Sequence, residues 1–340
     1  MSKECVEQVE GAGASVPMTD ISNIDVPEGT DELSRSTRRA WRGRLNSAST
    51  RKMITGVLAT LVGGSFWGFS GTSASFLFDT YHVDTLWLMS VRQILAGLLF
   101  MAVVVTRDRE RLIKLWTTPA DCKQLLLFTA FGLLFNQFCY LSAVRLTNAG
   151  TATVLQCLQL VIIMGYTCVT DRRMPRTREV IGIGLALGGT FLIATGGDPT
   201  SLNISPLGLA AGLMCAVSAA CMAVIPAKIL PEYGSPIVTG SAMLTAGVVS
   251  CVFVQPWTHM PALDAAGAEA LAVFVVIGSF FAYMLYMQGV KDIGSVRASL
   301  IGTVEPVSAT ITSAVMLGTV FLPTDLIGFA MIIVMMFLTV

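Results

Sequence analysis

The stretch Arg297–Leu317, RASLIGTVEPVSATITSAVML, decides how this chain is read. It is long and apolar enough to cross a bilayer as a helix, yet it carries a carboxylate, Glu305, at its middle and Pro306 directly after it. A charge at the centre of a span costs at least about 2.5 kcal/mol by insertion scales, so something must compensate it. Pro306 has no amide hydrogen, which leaves the carbonyl of Gly302 without its helical partner. Gly302 and Pro306 therefore mark an expected hinge beside a buried acid.

Working outward, the stretch has a counterpart earlier in the chain. A shift of 146 positions lays Tyr140, Val144, Ala152, Val161, Val169, Ile181 and Gly182 onto Tyr286, Val290, Ala298, Val307, Val315, Ile327 and Gly328 without a gap. Glu305 then falls on Gln159, and Pro306 on Leu160. Phe128, Gly132 and Phe135 extend the match backward onto Phe274, Gly278 and Phe281, and a shift of 152 aligns Gly56 and Tyr81 with Gly208 and Tyr233.

Of 340 residues, 54% are hydrophobic and 13% charged, with a mean hydropathy of +0.70. A soluble domain carries about 25% charged residues, so the chain reads as an all-α integral membrane protein. Residues 1–50 are polar, acidic first and then basic, and are expected to be a disordered cytoplasmic tail. Ten apolar spans follow, at about 53–74, 87–105, 124–144, 150–170, 179–196, 206–226, 237–255, 268–289, 297–317 and 323–340. The chain ends at Val340 inside an apolar run, which suggests a longer C-terminus. Six cysteines lie within apolar runs, where they act as small hydrophobes, and no Cys/His metal spacing is present.

Lysine and arginine set the orientation. With a cytoplasmic tail, nineteen basic residues of the juxtamembrane cluster and the inner loops fall on the inside, against Arg145 alone in the outside loops. Both termini are then cytoplasmic, in the cell membrane. Five spans per repeat is an odd number, so the halves 53–196 and 206–340 enter the membrane in opposite senses. Two inverted five-helix repeats are an architecture of transporters, which hold substrate near the midplane between halves. The expectation is a ten-helix secondary transporter with alternating access.

The segments YLSAVRLTNAGTATVLQCLQ and YMQGVKDIGSVRASLIGTVEP, with WGFSG at Trp67–Gly71, resemble the drug/metabolite transporter superfamily, EamA type. The resemblance covers about 53–340. It implies efflux or exchange of small metabolites, often amino acids or amphipathic drugs. Two departures stand out: Leu160 replaces the first-half proline, and Gly318-Thr319 replaces a Gly-Glu pair.

Polar groups within spans are candidates for the substrate site. Glu305 leads, either binding a substrate ammonium, carrying a proton, or making a structural hydrogen bond. Arg92 would bind a substrate carboxylate, pair with Glu305, or snorkel outward. Asn136, Gln137, Gln156 and Gln159 would line a polar cavity or serve as interhelical glue. Gln156 and Gln159, three apart, would share a helix face. Trp67, Tyr140, Tyr283 and Tyr286 complete the candidate lining, as a pocket or as interfacial anchors. Gly182, Gly184, Gly188 and Gly189 would allow close packing within the bundle or across a homodimer. No catalytic constellation, nucleotide loop, cofactor motif or nucleic-acid surface is legible, so a membrane enzyme or a scaffold is the weaker reading. Expected partners are a small-molecule substrate, the lipid bilayer and a coupling proton.

Overall fold

A computed structural model describes residues 33–170, 172, 174–198 and 203–339. Of the expected tail, residues 1–32 lie outside the described residues; residues 33–51, taken by themselves, are helical. Every described element is a helix. Eight are long and apolar enough to cross a membrane: α1 (Thr50–Tyr81), α2 (Thr85–Arg107), α3 (Pro119–Leu146), α4 (Ala149–Thr170), α5 (Thr177–Thr195), α6 (Pro206–Ala227), α7 (Ser235–Val254) and α8 (Ala265–Ile293). Two shorter apolar helices follow, α9 (Val304–Leu317) and α10 (Pro323–Leu338). The expected ninth span, 297–317, is divided: helix Ser295–Gly302 precedes α9, and Thr303 separates them. Small helices Arg109–Thr117 and Ile229–Tyr233 occupy the connections after α2 and α6.

The helices begin where the sequence supplies acceptors for their free N–H groups. The Asp84 carboxylate accepts from the amides of Leu86 and Trp87 at 2.8 and 3.0 Å, opening α2. Asn148 caps α4 through the Thr151 amide at 2.8 Å, Ser205 caps α6 through Gly208 at 3.0 Å, and Asp264 caps α8 through Gly267 at 2.9 Å. Gly196 and Gly318 end α5 and α9 at φ of 63° and 64°, a conformation that side-chain-bearing residues rarely adopt.

Packing within Lys52–Val340 is pairwise. α2 lies along α7, where a Cβ on Gly97 would come within 2.5 Å of the Leu244 backbone and one on Gly247 within 2.5 Å of Ile94. α5 lies along α10, with Gly189 facing the carbonyl of Gly328 and Gly328 facing that of Gly189. α3 pairs with α6, α4 with α9, and α1 with α8 through Gly63, Gly278 and Gly289. Small residues do set these contacts. Gly188 and Gly189 of α5 meet α10, whereas Gly184 has open space.

The bundle has two ends with distinct side-chain fastenings. At one, the Tyr81 hydroxyl donates to Asp264, the Trp87 indole N–H donates to the Pro256 carbonyl at 2.9 Å, and Arg145 donates to Thr85 at 3.3 Å. At the other, the Tyr233 hydroxyl donates to Asp121 at 2.6 Å and Lys114 pairs with Glu232 at 2.6 Å.

Candidate functional site

Four local departures from the α-helix converge on one cavity. α3 runs through a π-helical segment, Phe128–Leu134, and α8 through another, Val273–Phe281. Such segments leave backbone groups without regular partners and are frequent at functional sites. α4 tightens at Cys157–Leu158, where Cys157 bonds back to Val154 at 3.1 Å and Leu158 to Leu155 at 3.1 Å, three residues away rather than four. α9 starts one residue beyond Thr303, whose φ of −60° and ψ of −7° belong to the same tight geometry.

The expectation that Gln156 and Gln159 share a continuous helix face is therefore corrected. The tightened turn lies between them: Gln156 ends one helical stretch and Gln159 begins the next. Leu160 in place of proline does not spare α4 its break, because the backbone bonds shift register without needing a missing N–H. The Cys157 thiol takes up the carbonyl of Thr153 at 3.3 Å.

The cavity measures about 440 Å³, and all ten sequence-derived lining candidates border it: Trp67, Arg92, Asn136, Gln137, Tyr140, Gln156, Gln159, Tyr283, Tyr286 and Glu305. Of the hinge pair, Gly302 carries the ring of Tyr286, which a Cβ would meet at 3.2 Å, and Pro306 is buried in the first turn of α9. The lining draws on α1, α2, α3, α4, α6, α7, α8 and α9, and on no residue of α5 or α10. It reaches Pro226, Leu230 and Ser235, toward the end that holds Lys114 and Glu232.

Arg92 is buried and held by α8: Nε donates to the Ser279 hydroxyl at 2.7 Å and Nη2 to the Gly278 carbonyl at 3.4 Å, both within the π-helical segment. Nη1 donates to Gln137 Oε1 at 3.3 Å, and the guanidinium lies 4.3 Å from the centre of the Phe274 ring. Three of five N–H donors are committed, leaving two for a ligand. Arg92 is thus neither snorkelling nor paired, since among the described residues no ion pair joins it to Glu305. The Glu305 carboxylate faces the cavity with no hydrogen bond among the described residues. A guanidinium and a carboxyl group border the same space with no salt bridge between them among the described residues.

The other candidates divide into held and open groups. Asn136 Oδ1 accepts from Ser218 at 3.1 Å, and its Nδ2 lies 3.8 Å from the Met222 sulfur, so this amide joins α3 to α6 while touching the cavity. Tyr140 donates to the Thr153 hydroxyl at 3.3 Å, which itself donates to the Ala149 carbonyl. Tyr283 is fixed by Ser235 and by Thr239 at 2.6 Å. Trp67 packs on Tyr286 at 4.9 Å between ring centres and on Tyr283 at 6.4 Å, giving an aromatic wall. Gln156 and Gln159 make no hydrogen bond among the described residues and present free amides to the cavity.

Sequence reading missed the hydroxyls that orient these groups. Ser279 holds Arg92, and Ser235 and Thr239 hold Tyr283. The 146-residue shift carries Ser279 back to Leu133, so the repeat offered no polar partner to flag it. Ser70, also on the lining, lies inside the WGFSG motif and was within reach.

Comparisons with known proteins bear on this site. The sequence profile described as the EamA-like transporter family matches residues 54–195 and 206–340. A Salmonella typhimurium (strain LT2) protein named Uncharacterized inner membrane transporter YicL is 32% identical over 288 residues, covering 84% of this chain and 94% of its own length. The Bacillus subtilis (strain 168) protein named Uncharacterized transporter YwfM is 23% identical, over 81% of this chain and 90% of its own. A crystal structure of a protein 18% identical shares the fold with a TM-score of 0.55, covering 85% of this chain and 95% of the other.

Proposed function

The chain belongs to the EamA-like transporter family and is a multi-pass membrane transporter, and from that premise we propose that it is a secondary transporter of a small amino acid-like metabolite or amphipathic amine. On this reading it works by efflux or exchange across the cytoplasmic membrane, with alternating access about the cavity containing Glu305. The observation that carries the proposal is the unpaired Arg92 and Glu305 bordering one cavity with an aromatic wall. Such a lining suits a solute with a carboxylate, an ammonium and an apolar body.

The pairwise packing supports ten spans in two inverted repeats. Exchanging each helix for the one five places on returns α2·α7, α4·α9 and α5·α10 to themselves and turns α3·α6 into α8·α1. The same relation appears residue by residue. A Cβ on Gly56 would meet Asp292 and Ile293, and one on Gly208 would meet Leu146 and Thr147, which lie 146 positions earlier. Both hinges also match, since the shift carries Cys157 to Thr303. In this mechanism the halves rock about the site while the tightened turns absorb the bend. A proton on Glu305 would supply the coupling, as its carboxylate stands free of the protein's own donors.

The test is a thermal-shift screen of amino acids, amines and nucleosides on detergent-purified protein. Stabilising compounds are then followed as labelled solutes into proteoliposomes with and without a pH gradient. We expect saturable uptake of an amino acid or amine that Glu305→Gln abolishes or uncouples from pH. Normal pH-dependent uptake by that variant overturns the role of Glu305.

A further inference from the structure

We infer that the groove between the small helix Arg109–Thr117 and the opening turns of α3 is a binding site for an anionic phospholipid. The groove is shallow and open, measures about 490 Å³, and is lined by Trp116, Thr117, Pro119, Cys122, Lys123 and the pair Leu126 and Leu127. It lies apart from the central cavity and shares no residue with it.

Three features select this occupant. First, the walls continue onto apolar surface: Leu127 is 43% exposed, and Phe131, one turn further along α3, is 57% exposed. This track follows a membrane-crossing helix and matches an acyl chain lying against it. Second, the groove offers two uncommitted donors. Among the described residues neither the Lys123 ammonium nor the Trp116 indole N–H has a hydrogen-bond partner or ion pair, whereas Lys114, on the same small helix, is committed to Glu232. Third, Pro119 opens α3 at this point and lines the groove, and the one acid of that first turn, Asp121, is taken up by the Tyr233 hydroxyl. A headgroup phosphate on Lys123 and Trp116, with chains along Leu127 and Phe131, satisfies all three. Tryptophan at a headgroup boundary and basic residues beside a span are the chemistry that recognises anionic lipid.

The experiment is native mass spectrometry of the full chain in nonionic detergent, titrated with phosphatidylglycerol or with phosphatidylcholine of the same chains. We expect phosphatidylglycerol to be retained preferentially, Lys123→Gln to lower that retention about fivefold, and Lys123→Arg to restore it. Arg109→Gln and Arg111→Gln, which alter charge on the same helix outside the groove, should leave retention unchanged. Equal retention of the two lipids overturns the site. So does a loss in the Arg109 and Arg111 variants equal to that in Lys123→Gln, which would indicate diffuse surface charge. Displacement of the lipid by millimolar inorganic phosphate also overturns it, because the pocket would then take a free anion. Circular dichroism melting of each variant separates lost lipid from lost fold.

Discussion

The two helix breaks, at Gln156–Gln159 in α4 and at Gly302–Pro306 before and within α9, fall on each other under the 146-residue shift but are built differently. The fourth span has no proline, and its turn tightens through the shifted bonds at Cys157 and Leu158. The ninth has Pro306, a glycine beneath the Tyr286 ring, and an acid. Their support differs as well. α1 presses on α9 backbone to backbone, since a Cβ on Gly68 would fall 2.5 Å from the Glu305 carbonyl and 2.6 Å from the Ala309 amide. α6 meets α4 through a side chain: a Cβ on Gly212 would strike Leu155 Cδ1 at 2.5 Å. A bend is therefore specified by the fold around it, and proline is one means among several. An ionisable side chain, by contrast, stands at one break only, Glu305 against Gln159.

The largest expected difference is in transport. Glu305→Gln should lower uptake about 10- to 100-fold, the worth of a hydrogen bond to a charged group, whereas Gln159→Leu should lower it about fivefold, the worth of a neutral one. Equal losses in proteoliposome uptake would erase the asymmetry. Packing comes next. Gly68→Ala forces backbone apart and should cost about 1–3 kcal/mol, while Gly212→Ala displaces only Leu155 and should cost about 1 kcal/mol or less. Melting curves in one detergent decide between them.

Exchanging the hinge residue itself should matter less. Pro306→Leu makes the ninth span read like the fourth and restores at most one backbone hydrogen bond, so uptake should fall less than about tenfold. Hydrogen exchange across 300–306 that drops to the level of a continuous helix would show proline to be indispensable there. The smallest effect belongs to the fastening at Asp264. The Tyr81 hydroxyl, and then the Gly267 amide, hold its carboxyl below the usual range. A depressed acid stabilises the fold above its unfolded pKa of about 3.9 and loses that contribution as pH falls through the folded value. Asp264→Ala should accordingly lower the melting temperature at pH 7, and the gap from wild type should narrow below about pH 4.

Much of this was legible in the sequence. Span length is imposed by bilayer thickness, so periodicity was not needed to place α1 to α8, whose ends fall within about seven residues of the expected ones. The lining residues were legible for a related reason: a polar side chain in hydrocarbon must face a cavity or a partner, and Arg92, Gln156, Gln159 and Glu305 had few other places to go. The α4 turn was hidden because its cause is backbone bonding, which Cys157 and Leu158 do not advertise. The π-helical segments were hidden likewise, and with them Ser279, which matters only because one of those segments turns it toward Arg92.

Each end of the bundle carries a phenol donating to a carboxylate, Tyr81 to Asp264 and Tyr233 to Asp121. A carrier that must visit two states in turn is slowed when either becomes a trap. On the alternating-access reading proposed above, similar latches at opposite ends would keep the work of opening similar, and the resting equilibrium within the few kcal/mol over which a bound solute tips it. With a latch at one end alone, the same bundle would rest shut on that side and behave as a valve.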